Sequence, residues 1–326
     1  VAHEGPVSAS RGCRADRAMS ELRESCSPEL RVFDSPELLV EAAARTICAE
    51  LAALSTGAEA LEKSAGPVAL RTRDVADQTS AGPAELNTRA VLHEQSAGPA
   101  ELRTGVKVHE QSAGPAALST ERVSIAIAGG FVSHKLLPCF REFAASIDWN
   151  RIDVFWVDER FVAAEDPDRN DTEAMRVLFN ECEGVRLHPM PSDEGQSLDE
   201  AVARATSQWR DITGGAAFDL VILGMGPDGH IASLFPGRPL HEDCPLYALD
   251  DSPKPPARRI TFSLPVLRAS KRIHLIAAGA AKAEALARVL AENEELGHNQ
   301  STSADSLLPA ARVLSDSSLV WADSEA

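Results

Sequence analysis

The chain has 326 residues, enough for one large α/β domain or two smaller ones, and 44% are apolar, so a sizeable core can form. Lys and Arg number 32 against 49 Asp and Glu, a formal net charge of -17 that repels phosphate backbones and excludes nucleic acid as a general partner. A small anionic ligand stays open, because a few local cations hold one phosphate inside an acidic protein.

Six scattered cysteines (Cys13, Cys26, Cys48, Cys139, Cys182 and Cys244) form no CxxC pair, so neither a disulfide framework nor a zinc site is expected. No apolar run approaches the ~20 residues that span a bilayer, and the polar N-terminus lacks the apolar segment of a signal peptide. A cytoplasmic chain without membrane association is the expectation.

Residues 1–29 are polar and aperiodic and read as a disordered leader. Arg31-Val32-Phe33 then reads as a short strand. Ser35-Pro36-Glu37 supplies an N-cap, a proline at the first helical position and an acidic first turn. The helix should run from about Pro36 to Leu54, with Leu38, Leu39, Ala42, Ile47 and Leu51 inward. Next come SAGPVALRT, SAGPAELNT, SAGPAELRT and SAGPAALST, starting at Ser64, Ser80, Ser96 and Ser112, a period of 16. Each unit offers few apolar side chains, so a surface loop is expected over 57–120, inserted into one domain built from 30–56 and 121–326. Growing a loop from ~4 to ~64 residues adds roughly 2.5 kcal/mol of closure entropy, which a well-packed domain survives. A protein-interaction module is the other reading of the repeats.

From Val123 onward strands and helices alternate. VSIAIAGG is a buried strand ending in two glycines, and the HKLLPCFREFAAS helix is interrupted or started near Pro138. RIDVFWVDER reads as a second strand, LDEAVARATSQWRDI as a helix, and FDLVILGMGPDGH as a third strand entering a glycine-rich turn. RITFSLPVLRAS, RIHLIAAG, KAEALARVLAEN and SLVWADS complete the series. Near-continuous apolar strands separated by helices imply a mostly parallel sheet covered on both faces, with ligands outside the carboxyl ends of the strands.

Four strand ends therefore matter. Gly129-Gly130 would let a backbone approach a phosphate, or would form a plain tight turn. Asp158-Glu159-Arg160 is an anion site or a structural ion pair. In LGMGPDGHIASLFPG, residues 223–237, Asp228 and His230 stand two apart in a tight loop, and a neutral imidazole suits proton removal from water. Lys282 follows Gly279 in the first turn of a helix, where it would bind phosphate or simply be solvated.

WVDERFVAAEDPDRND and LGMGPDGHIASLFPG, with RRITFSLPVLRASKRIHLIAAGAAKAEAL and the terminal VWADSEA, resemble the glucosamine-6-phosphate isomerase/6-phosphogluconolactonase family from about Leu30 to Asp323, outside the repeats. The resemblance implies an α/β fold, a modified Rossmann-like three-layer α/β/α arrangement with a mostly parallel sheet (NagB/RpiA/CoA-transferase-like). It also implies hydrolysis of a sugar-phosphate lactone without metal or organic cofactor, by a chain expected to be a monomer. Carried over by motif, His230 is the general base with Asp228 beside it. Gly129, Gly130, Asp158, Arg160, Asn170, Gly229, Arg259 and Lys282 are substrate contacts. One departure stands out: Phe131 and Val132 follow the paired glycines where the family has a hydroxyl residue, leaving Ser133, His134 or Lys135 to compensate. A glucosamine-6-phosphate deaminase-like isomerase and a catalytically impaired sugar-phosphate binder are the alternatives.

Overall fold

The computed structural model describes residues 27–57, 122–298 and 307–326. The leader before residue 27 and the repeats from Ser64 onward lie outside the described residues. All the described residues belong to one compact unit.

The chain enters as β1 (Glu29–Phe33) and turns into α1 (Pro36–Thr56). Ser35 caps that helix, its hydroxyl accepting from the Leu38 N–H, with Pro36 in the first turn. The buried stripe of α1 is Leu39, Val40, Ala43, Ala44, Ile47, Cys48 and Leu51. Leu38, expected inward, is 50% exposed, because the stripe at helical spacing starts one residue later. After β2 (Val123–Ile127) the chain makes a π-helical turn over Val132–Leu136 and continues as α2 (Leu137–Phe140), with Pro138 early in the helix.

The segment expected as one strand, RIDVFWVDER, is two: β3 (Ile152–Trp156) and β4 (Asp158–Arg160). They break at Val157 because β4 leaves the main sheet to pair elsewhere. Then follow α3 (Asn170–Val177), β5 (Arg186–His188), α4 (Leu198–Thr213), β6 (Leu220–Gly224) and β7 (Leu246–Leu249). The remainder is β8 (Arg259–Phe262), α5 (Leu264–Arg268), β9 (Ile273–Ala277), α6 (Ala283–His298), α7 (Pro309–Val313) and β10 (Ser318–Asp323).

Seven strands form a wholly parallel sheet in the order β1-β10-β9-β6-β2-β3-β5. Every residue of β3, β9 and β10 is buried. Since successive side chains face opposite ways, that burial means both faces of the sheet are covered. A smaller antiparallel sheet, β4-β8-β7, carries Asp158–Arg160 beside Arg259. The α4 helix packs on this second sheet and buries Ala201, Ala205 and Trp209 at four-residue spacing.

At the start of α4, Ser197 and Glu200 form a reciprocal capping box. Ser197→Ala removes one half of it and should lower the unfolding free energy by about 1 kcal/mol, read as a shifted urea midpoint with an unchanged slope.

Candidate active site

The main sheet reverses direction of growth between β2 and β6, and the segments leaving β2, β3, β6 and β9 converge there. They line a cavity of about 310 Å³ formed by Gly129, Gly130, Phe131, Asp158, Arg160, Asn170, His230, Lys254, Arg259 and Lys282, among others. Its charged lining is four cations against one carboxylate, in a chain whose net charge is -17. A larger cleft of about 560 Å³, lined by Arg169, Asp171, Glu194, Arg204 and Asp211, takes none of these strand-end residues.

The loop after β6 folds back on itself. Gly226 N–H donates to the His230 carbonyl at 2.9 Å, and Gly229 N–H to the Gly226 carbonyl at 3.0 Å. A Cβ on Gly226 would collide with the His230 ring and the Asp228 carboxylate, so glycine there is what lets the pair form. His230 Nδ1 is hydrogen-bonded to Asp228 Oδ1. The tautomer that donates from Nδ1 carries its lone pair on Nε2, the nitrogen that can take a proton. Phe235 packs against the ring at a tilt of 30°, with centroids 4.8 Å apart. Lys254 Nζ lies 3.1 Å from His230 Nδ1 and 3.6 Å from Asp228 Oδ1.

Burial pulls the His230 imidazolium below its ordinary range and Lys254 adds to this, while the Asp228 hydrogen bond opposes. His230 is therefore neutral at pH 7. Burial works against ionisation of Asp228, but the hydrogen bond to His230 and the charges of His230 and Lys254 hold its carboxyl below the usual range. Lys282 is lowered by burial and by the nearby Lys254 ammonium. Two cations crowding one another across a cavity are the arrangement an anion relieves.

Asp158 is buried and committed: Ser233 Oγ donates to its Oδ2 at 2.6 Å, and Arg259 Nη1 stands 3.6 Å away. Arg259 also donates to the carbonyls of Lys254, Pro255 and Pro256 at 3.0–3.1 Å. It thus grips the loop that carries Lys254 as well as lining the cavity. Arg160 Nη1 donates to the Asp168 carbonyl, and its Nε is buried with no hydrogen-bond partner among the described residues. Asn170 donates through Nδ2 to the Asp158 carbonyl at 2.9 Å and stands against Gly129, where no Cβ fits.

Most of the sequence-predicted residues meet in this one cavity. Asp228 sits behind His230 rather than in the lining, and Gly229 is a turn residue with φ +78° packed under Leu308. Lys282 lies in a 3-10 turn just ahead of α6 rather than within that helix. Phe131 does line the cavity, but Ser133, His134 and Lys135 do not: Ser133 Oγ reaches back to the Ala128 carbonyl and His134 pairs with Glu173. The residues that sequence reasoning missed are Lys254, Ser233 and Phe235. Ser233 and Phe235 stood inside the quoted ASLFPG segment; Lys254, a lone lysine between prolines, carried no motif.

A family model, glucosamine-6-phosphate isomerases/6-phosphogluconolactonase, matches residues 102–321. The chain belongs to this family. Among similar proteins, the 6-phosphogluconolactonase of Mycobacterium tuberculosis is 37% identical over 177 residues, 51% of this chain and 72% of that protein. That of Streptomyces coelicolor is 34% identical over 188 residues, 53% of this chain and 72% of its own. The chloroplastic 6-phosphogluconolactonase 3 of Arabidopsis thaliana is 31% identical over 218 residues, 61% of this chain and 62% of its own. Of solved structures, 6-phosphogluconolactonase from Thermotoga maritima is 27% identical with a TM-score of 0.52, covering 63% of this chain and 86% of that one. The fold is therefore that of the family, in a mostly parallel α/β arrangement. Among the described residues no cluster of three or more His, Cys, Asp or Glu side chains could hold a metal ion.

The electrostatics of His230 can be read without turnover, by NMR titration of its ring. The titration midpoint should lie below 6.5 in the native chain, rise in Lys254→Met and fall further in Asp228→Asn. Since the folded value lies below the unfolded one, the contribution to stability is present above pH ~6.5 and is lost as pH falls through the folded value.

Proposed function

We propose that this chain hydrolyses 6-phospho-D-glucono-1,5-lactone to 6-phosphogluconate, the lactone-opening step of the oxidative pentose phosphate pathway, with His230 as the base that activates water. The observation that carries the reading is the pairing, in one cavity, of a neutral, carboxylate-oriented imidazole with a cluster of cations. The names of the relatives support the same substrate.

In this reading Lys282, with Arg160 and the Gly129-Gly130 turn, holds the phosphate. Its binding fixes the ring carbonyl opposite Nε2 and turns remote affinity into orientation. His230 takes a proton from water as the water oxygen attacks the carbonyl, forming a tetrahedral oxyanion. Lys254, a cation of the same cavity, would stabilise that charge. Collapse breaks the bond to the ring oxygen, which leaves with the proton that His230 returns. One water is added and no covalent intermediate is required. Asp228 keeps Nε2 in the accepting tautomer and stabilises the transient imidazolium.

The isomerising deaminase is not favoured: the chain reads ASLFPG after Asp-Gly-His, and Phe235 of that segment covers the His230 ring. Among the described residues no helix is long and apolar enough to cross a membrane. Some plant relatives are chloroplastic by name, so family membership does not fix a compartment.

The purified chain should open the lactone faster than its spontaneous rate, and ammonia release from glucosamine 6-phosphate instead would overturn the assignment. His230→Ala should lower kcat by roughly 10²–10⁴-fold with the circular dichroism spectrum retained. Lys282→Ala should mainly raise KM, by roughly 10- to 150-fold for the loss of a charge-assisted contact of about 1.5–3 kcal/mol.

A further inference from the structure

Glu159 lies between two cavity-lining residues, Asp158 and Arg160, on a three-residue strand where side chains alternate. Its own carboxylate is therefore turned to the other side, and it is 1% exposed. Oε1 accepts from the Arg160 N–H at 2.8 Å and the Asn170 N–H at 2.7 Å, and Oε2 accepts from the Asp171 N–H at 2.9 Å. Asn170 and Asp171 open α3, and the residue before them, Arg169, provides no side-chain cap. Two of the orphan donors at that helix start are thus satisfied by a carboxylate eleven and twelve residues earlier in the chain. Arg169, also buried, donates to Asp171 at 2.6 Å and to the Met190 carbonyl at 2.7 Å, and lies 3.9 Å from Glu159.

What these bonds seat is the wall of the cavity. Asn170, fixed by its N–H on Glu159, donates to the Asp158 carbonyl and fills the space that Gly129 leaves open. Arg160, whose N–H rests on the same oxygen, lines the cavity, and its Nη1 donates to the Asp168 carbonyl. We propose that Glu159 is a positioning residue whose carboxylate seats Arg160, Asn170 and, through Asn170, Gly129, and that it thereby sets the affinity for the anionic end of the substrate. This rests on the function proposed above.

Burial pushes the Glu159 carboxyl up to about 7, with Arg169 opposing and Asp171 reinforcing the rise. Glu159→Gln keeps the size but turns an NH₂ group toward at least one backbone N–H: two of the three bonds are lost if it takes the place of Oε1, and one if it takes the place of Oε2.

The test compares the parent chain and E159Q in the lactone assay, with sulfate as a competitive probe of the anion subsite. KM for the lactone and the inhibition constant for sulfate should rise together by about tenfold, the loss of one charge-assisted bond's worth of seating. The fall in kcat should be smaller, and the acid limb of kcat should stay where it is, because Asp228 and His230 sit on another loop. An E159Q chain with the parent's KM and sulfate constant, altered only in yield or Tm, overturns the inference. If E159Q is not recovered folded, Glu159→Asp, which keeps the charge on a shorter arm, must shift both constants in the same direction, and unchanged constants overturn the inference equally. If the parent does not turn over the lactone, the functional reading fails, while calorimetric sulfate binding to parent and variant still decides the role of Glu159.

Discussion

The parallel register of four neighbouring strands sets where everything else can go. Ile127 of β2 stands opposite Trp156 of β3 and Ile222 of β6, and Gly224 of β6 opposite Ile276 of β9. Strands aligned in this way end together, so the segments that leave them are neighbours although they are drawn from residues some 150 positions apart. The apolar interior of the sheet leaves those ends as the place where polar side chains can gather without being buried on both faces. Gly129-Gly130, Asp158–Arg160, the loop to His230 and Lys282 are what the chain puts there.

Within that patch the charges are arranged against the sign of the protein as a whole. The chain is strongly acidic, yet the cavity presents Arg160, Lys254, Arg259 and Lys282 against Asp158 alone. Part of that positive charge is structural. Arg259 is buried, faces Asp158 and spends three hydrogen bonds on the Lys254–Pro256 segment. Lys254 and Lys282 are both only half-buried and repel one another, although Lys254 is also 3.6 Å from the Asp228 carboxylate, and an anion between them would relieve that repulsion. Burial is the main cause that holds His230 below its ordinary range, and the Lys254 ammonium adds to it, so one of the cavity's cations bears on the base as well as on an anion.

Two buried polar networks support the cavity, one around Asp158, Ser233 and Arg259 in its lining, the other around Glu159, Arg169 and Asp171 outside it. Buried ion pairs are weak contributors to net stability, since desolvation offsets their attraction. Their geometry is what they supply. Each ties a short piece of β4 to a distant loop or helix start, and Arg169 Nη1 is buried with no hydrogen-bond partner among the described residues. Phe131 lines the same cavity, and Lys254 is the cation that the structure brings there in addition to those expected.

Local chemistry is what the sequence determined by itself. Ser35 announces a helix start because caps act within one turn, and the buried strands announce themselves because parallel strands read as unbroken apolar runs. The Asp228–His230 pair was legible because both groups and the glycine that makes room for them lie within five residues. What only the tertiary structure decided are contacts between residues far apart in the chain. Ser233 meets Asp158 across 75 positions and Lys254 meets His230 across 24, with no local pattern to mark either. The split of RIDVFWVDER into two strands, the exposure of Leu38 and the turn of Glu159 away from the cavity depend likewise on which partner strand or helix is reached. A pairing of that kind is chosen by the packing of the whole domain, and residue order alone does not carry it.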